Sequence, residues 1–323
     1  MTEPPSGIRS LLAQASALGV WIKEFVGIHP VPAWVMAFFV WAPSYGVATV
    51  SAVTLILHPL PEGQLPWSTD LQPAVGSAVL SILLLYIMCV FLHWRGFQIS
   101  NTGITPRKDR REWFWIPAAF LMACGANLIK AVMTGRAQEW FPTHTHLYRS
   151  EATSENALPS LLISMLTTGP AEEIILVPGL VLLLISGRCP RWLAITIAVT
   201  ARTTFHLYYG LPVAPGFVVW ALLLVLIWQI TGTALGAVLA HIFNNFIAAL
   251  GRTAAFNSYA WDVVYTWLSV AGIILLIALI PQAVRTLKCL RSTSAATHPL
   301  THAVECPPIG ASFVTPIAGK HTL

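Results

Sequence analysis

Eight stretches of roughly 20 predominantly apolar residues constrain this 323-residue chain more than anything else in it. They lie at 31–57, 73–93, 113–135, 157–187, 192–209, 213–232, 233–250 and 262–284. No water reaches the hydrocarbon core of a bilayer, so each such segment must satisfy its own backbone N–H and C=O groups, and it does so as a helix. Composition agrees, with 56% hydrophobic and 10% charged residues, against about 25% charged in soluble domains. The expectation is an all-α, polytopic transmembrane bundle of about eight spans in the cell membrane.

Charge placement gives that bundle a direction. Arg95, Arg107, Lys108, Arg110 and Arg111 crowd the loop RGFQISNTGITPRKDRRE between the second and third spans, and a loop of that kind belongs on the cytoplasmic side. With both termini inside, the outer loops hold only Arg136, Arg149 and Arg252 of the 18 Lys and Arg residues, and two more, Lys130 and Arg202, fall within spans. The net charge of +5 therefore orients the chain in the bilayer and does not point to nucleic acid. Residues 1–30 read as a cytoplasmic amphipathic lead-in with no signal-peptide pattern, 31–290 as the transmembrane domain, and 291–323 as a disordered cytoplasmic tail rich in Pro, Ser, Thr and Ala. The five cysteines (Cys89, Cys124, Cys189, Cys289, Cys306) lack ligand-like spacing and imply neither disulfides nor a zinc finger. Trp113, Trp115, Trp140 and Trp261 sit at span ends as interfacial anchors, and His144 and His146 read as incidental loop residues.

The fourth span is the anomaly. It is too long for a straight crossing at 1.5 Å per residue, and Gly169, Pro170 and Pro178 interrupt it: Pro178, for example, cannot donate to the Ile174 carbonyl. Within it stand two adjacent carboxylates, Glu172 and Glu173. Charges at bilayer depth cost several kcal/mol, so they face the bundle interior and mark function. The other intramembrane polar groups are few: Lys130 in span three, Arg202 and His206 in span five, and His241, Asn244 and Asn245 in span seven. Arg202 and His206 are four residues apart, as are His241 and Asn245, so each pair shares a helix face. Taken singly, an intramembrane histidine or asparagine is more often a packing residue bonded between helices. Two carboxylates, two imidazoles and an amide on three spans make a purely structural bundle a poor explanation.

An EE pair on one membrane helix, a histidine on the next and HxxxN on a later one resemble the CPBP intramembrane proteases, the group of the type II CAAX prenyl endopeptidases and the Abi immunity proteins. The resemblance covers about 95–250, and RTTFHLYYG looks like the actinobacterial version of the second motif. By that resemblance Glu172, Glu173, His206, His241 and Asn245 are the catalytic set. Two positions depart from the pattern: Val177 stands where EExxxR has its arginine, and Arg202 where FxxxH has its phenylalanine. These departures read as one event, with Arg202 supplying from the neighbouring span the charge that Glu173 would otherwise lack, and with Lys130 as the fallback partner.

The chemistry that follows is membrane-embedded peptide hydrolysis. Glu172 is the expected base for a water, His206 orients that water, and His241 and Asn245 donate to the oxyanion. Glu172, His206 and His241 would also make a hydrolytic zinc set, so zinc is a candidate cofactor, although no HExxH is present. The expected partners are a peptide or protein substrate and the lipid bilayer. A proton- or ion-coupled transporter is the alternative from another class, and an inactive peptide-binding or immunity protein is a third.

Overall fold

The computed structural model describes residues 29–58, 71–104, 110–141, 157–250, 258–281 and 284. Nearly all of the lead-in, the tail 291–323 and the pair His144 and His146 lie outside the described residues, so the orientation of the termini stays an expectation. Each of the eight apolar stretches corresponds to a helical element. We label them α1 (Val31–Leu57), α2 (Leu71–Trp94), α3 (Arg110–Trp140), α4 (Ala157–Ile174 continuing through Ile175–Gly179 into Leu180–Ser186), α5 (Arg191–Thr204), α6 (Ala214–Thr231), α7 (Leu235–Leu250) and α8 (Ser258–Ala278). Among the described residues there is no strand. The chain is a multi-pass helical membrane protein.

Six of these helices are long and apolar enough to cross a membrane; α5 and α7 are not. This revises the span expected at 192–209. The helix has 14 residues, about 21 Å at 1.5 Å each, short of a core of about 30 Å. It stops at Thr204 because the chain turns there: 3-10 turns at Leu207–Tyr209 and Leu211–Val213 flank Gly210, whose φ of 102° favours glycine. His206 therefore stands in the turn beyond the helix and not on its last face.

The long fourth helix does not break. Pro170 is accommodated within it, and the strain of Pro178 is absorbed by a π-helical turn at Ile175–Gly179, where the Leu180 N–H donates to the Ile175 carbonyl five residues back. The turn is widened where a proline has removed a donor. Glu172 and Glu173 lie just before it. Ile175 through Leu184 are all buried, so α4 is the axial helix, with α1, α2, α5, α6 and α7 packed around it. The second hub is α3, against which α6, α7 and α8 pack. Outward, Val31, Val35 and Phe38 of α1 and Trp267, Ile274 and Ile277 of α8 are exposed, as residues facing acyl chains would be.

Where helices cross closely, small residues allow it. A Cβ on Gly236 of α7 would stand 2.5 Å from Ala119 Cβ and 2.6 Å from the Ile116 carbonyl oxygen of α3. The start of α7 is also tied to the loop after α2. The Gly103 carbonyl accepts from the N–H groups of Ala234 (3.1 Å) and Leu235 (3.3 Å), and the Thr233 hydroxyl accepts from Leu235 N–H at 3.1 Å. These contacts set the height and rotation of α7, and with them the position of His241. Overpacking of this kind typically costs about 1–3 kcal/mol. Gly236→Val is expected to lower the thermal midpoint of the detergent-solubilised protein by several degrees; an unchanged midpoint would show that the α3–α7 crossing is looser than its geometry.

Candidate active site

Four elements bring polar groups to one place. The C-terminal turn of the first segment of α4 supplies Glu172 and Glu173, the end of α5 supplies Arg202, the turn after it supplies His206, and the middle of α7 supplies His241. Glu173 and Arg202 are each only 1% exposed, and Glu172 is buried beside them. The side chains of His206 and His241 are mostly buried, 12% and 13% exposed.

The centre of the arrangement is the guanidinium. Arg202 Nη2 lies 2.5 Å from Glu173 Oε1 and 3.0 Å from Glu172 Oε1. Its hydrogen bond goes to Glu173; the Glu172 contact is a close ion pair without hydrogen-bond alignment. Glu173 Oε1 also accepts from His241 Nδ1 at 2.7 Å. Lys130, the fallback partner, has no carboxylate within 4 Å among the described residues, and its Nζ lies over aromatic rings. Val177, at the position where an arginine would be expected, is buried in the π-turn.

Hydrogen bonding fixes the tautomers of both imidazoles. A carbonyl can only accept, so His206 Nδ1, 2.9 Å from the Arg202 carbonyl, carries its proton. The helix ends here, and the His206 backbone N–H has turned to the Thr203 carbonyl. The ring therefore caps the carbonyl that the backbone leaves. A neutral His206 then presents its Nε2 lone pair, 3.9 Å from Glu172 Oε1. His241 spends its Nδ1 proton on Glu173, so Nε2 can donate only when the ring is an imidazolium. Gly169, one turn before Glu173, admits that ring: a Cβ there would be 3.1–3.4 Å from three of its atoms.

Asn245 lies elsewhere. It shares the α7 face of His241, but its Oδ1 accepts from Asn244 Nδ2 at 3.5 Å, and Asn244 Oδ1 accepts from the Tyr265 hydroxyl of α8 at 2.9 Å. The amide is thus linked to α8 and shows no bond to the carboxylates.

Among the described residues, the group whose ligand atoms come within 4.8 Å of one another is Glu172, Glu173 and His241. The expected set had His206 in place of Glu173; its Nδ1 is held by the Arg202 carbonyl and its Nε2 lies 3.9 Å from Glu172 Oε1. Two carboxylates and an imidazole suit zinc as donors. As arranged, they do not fit it: Arg202 already fills the cationic position between the carboxylates, and the Glu173–His241 separation of 2.7 Å is a hydrogen bond.

One residue of this site was not legible as such. Trp220 of α6 carries the Arg202 guanidinium over its ring at 4.2 Å and the Lys130 ammonium at 4.3 Å, and meets the rings of His206 and His241 at 5.7 and 6.3 Å. Phe217, one turn earlier, stacks on His206 at 4.5 Å. The available signal was position: Trp220 stands inside its span, where an interfacial anchor would be out of place.

Residues 154–247 match the family model described as type II CAAX prenyl endopeptidase, Rce1-like. The matched segment contains Glu172, Glu173, Arg202, His206, His241 and Asn245, and supports the resemblance to the CPBP and CAAX-type proteases over that part of the chain. No curated protein and no solved structure gives a significant match to the chain.

Removing one member of a buried ion pair strands the other, at a typical cost of about 3–5 kcal/mol. Arg202→Gln is expected to destabilise the protein to that degree in detergent. Adding Glu173→Gln should restore part of the loss, since the carboxylate that Arg202 hydrogen-bonds is then neutral and only Glu172 is left without its cation. Equal losses in the single and double variants would contradict the pairing.

Proposed function

We propose that this protein is a CAAX-type intramembrane endopeptidase in which Glu172 activates a water for attack on a peptide bond. The family match supports a membrane peptidase acting on protein substrates. The glutamate mechanism rests on one observation: Glu172 Oε1 is buried, accepts no hydrogen bond among the described residues, and faces the His206 Nε2 lone pair at 3.9 Å. Two acceptors on either side of a small gap call for a donor with two hydrogens, and water is that donor. The same water is held by both groups, and the carboxylate takes its proton as the oxygen attacks.

The remaining groups form the frame. Arg202 holds Glu173 and, by ion pairing, keeps Glu172 close. Glu173 fixes the tautomer of His241 and stabilises its imidazolium, the form whose Nε2–H can donate to a developing oxyanion. Asn245, four residues along the same helix, has its Oδ1 held by Asn244 and keeps its Nδ2–H groups as a second donor to the substrate. The proton on Glu172 then passes to the leaving amine, and collapse of the tetrahedral intermediate breaks the C–N bond. In this reading both imidazoles act with one nitrogen and are positioned by the other.

The test uses purified protein in detergent with a panel of prenylated and unmodified peptides. Glu172→Gln keeps the shape and removes the base, and it is expected to lower kcat by about 100 to 10,000 fold with little change in KM. Cleavage that persists at the wild-type rate removes the mechanism, and solute flux in liposomes without cleavage establishes the transport alternative. A strong zinc chelator is expected to change kcat by less than twofold; loss of activity restored by added zinc would show that Arg202 yields its place to a metal.

A further inference from the structure

A carboxamide has two ends of nearly the same shape, one a double donor and the other an acceptor, so a half-buried asparagine serves as a donor only if its orientation is fixed. For Asn245 the orientation is fixed from outside the four elements of the site. Its Oδ1 accepts from Asn244 Nδ2 at 3.5 Å, and Asn244 Oδ1 accepts from the Tyr265 hydroxyl at 2.9 Å. Each link sets the next. A phenol proton on Asn244 Oδ1 turns the Nδ2 end of that amide towards Asn245, and an Asn245 amide turned the other way would set donor against donor. The Nδ2–H groups of Asn245 are what remains to be offered elsewhere.

The phenol proton is committed to this chain of bonds. Asn127 of α3 and Ser269, one turn along α8, also lie beside the phenol, yet the buried Asn127 Oδ1 and Ser269 Oγ have no hydrogen-bond partner among the described residues. The ring is held as well: Phe243 of α7 meets it at 6.2 Å and meets Phe120 of α3 at 5.8 Å. Backbone contact fixes α8 against α3. A Cβ on Gly125 would stand 2.7 Å from the Ile273 nitrogen, and Gly272 has no room for one against the Leu121 carbonyl. A helix that turns Trp267, Ile274 and Ile277 outward thus carries a fixed hydroxyl to the amides of α7.

We infer that Tyr265 is a positioning residue: its hydroxyl, acting through Asn244, orients the Asn245 amide so that Nδ2–H faces the substrate. The inference rests on the proteolytic reading above and adds to it a residue of α8, beyond the matched segment 154–247. Tyr265 acts only through this relay, so its effect should vanish when the amide at its end is removed.

The experiment is a cycle of variants in the detergent cleavage assay, with kcat and KM separated. Tyr265→Phe keeps the ring against Phe243 and removes the hydroxyl; it is expected to lower kcat by about tenfold or more with KM little changed, as misplacing a catalytic group does. Asn244→Leu breaks the relay in its middle with a side chain of similar shape and should give a loss of the same size. In the Asn245→Ala background, Tyr265→Phe should change kcat by less than about twofold. Losses that multiply in that double variant, or a wild-type kcat in Tyr265→Phe, overturn the inference and leave the glutamate chemistry standing. A second readout needs no cleavage: the side-chain amide NMR signals of protein isotope-labelled at asparagine, with Asn245 identified by its absence from the Asn245→Ala spectrum. Displacement of that pair of signals by Tyr265→Phe upholds the relay even in a protein that cuts nothing, and the proteolytic reading then fails alone; an unmoved pair overturns the relay.

Discussion

The contact between Arg202 and the two glutamates of α4 is the interaction on which the interior of this bundle depends. Two adjacent carboxylates on a helix that is buried on nearly every side could not persist there unpaired, because desolvating a single charge costs several kcal/mol even after relaxation. One guanidinium, 2.5 Å from Glu173 and 3.0 Å from Glu172, compensates both. It is asymmetric in doing so. Glu173 receives the hydrogen bond from Arg202 and a second from His241, and becomes part of the frame. Glu172 receives the charge without the bond and keeps an oxygen available. In the proposed mechanism, the difference between a structural and a reactive carboxylate, on neighbouring residues of one helix, comes from which one the arginine is aligned with.

Much of this was visible in the sequence, for physical reasons that can be named. Ionisable residues are so costly in an apolar span that Glu172, Glu173, Arg202, His206 and His241 stood out without any structure, and the eight apolar stretches are all helical. The absence of an arginine at Val177, set against its presence at Arg202, pointed to an interhelical pair because an unpaired Glu173 would be hard to sustain. What was not legible depends on local geometry. Hydropathy carried α5 on to residue 209, because Leu207, Tyr208 and Tyr209 are as apolar in a 3-10 turn as in a helix. The spacing of His241 and Asn245 gave a common face but not their partners, and the amide turned to Asn244 and, through it, to Tyr265. Pro178 correctly marked irregular backbone, though a widened turn rather than a break resulted.

Trp220 shows a further limit of reading polar residues alone. The two cations and two imidazoles it touches come from α3, α5, the turn after α5, and α7. Its indole is a flat surface of negative potential in an apolar interior, which stabilises neighbouring cations without competing for their protons. A carboxylate in the same place would hold Lys130 more strongly but would also draw Arg202 away from the glutamates. The aromatic ring supports both charges and leaves their donors available.

That the arginine is carried by α5 rather than by α4 itself has a consequence for how the protein is made. Helices leave the ribosome in order, and α4 reaches the insertion machinery with two acidic residues ahead of their counter-charge, which follows Glu173 by 29 residues. Scales for translocon-mediated insertion assign about 2.5–3.5 kcal/mol to a charged residue at the centre of a helix, so α4 is a poor candidate for independent entry into lipid. Its stable residence awaits the short helix that follows, and the two are best regarded as a single unit of biogenesis, the second helix neutralising the first as it arrives.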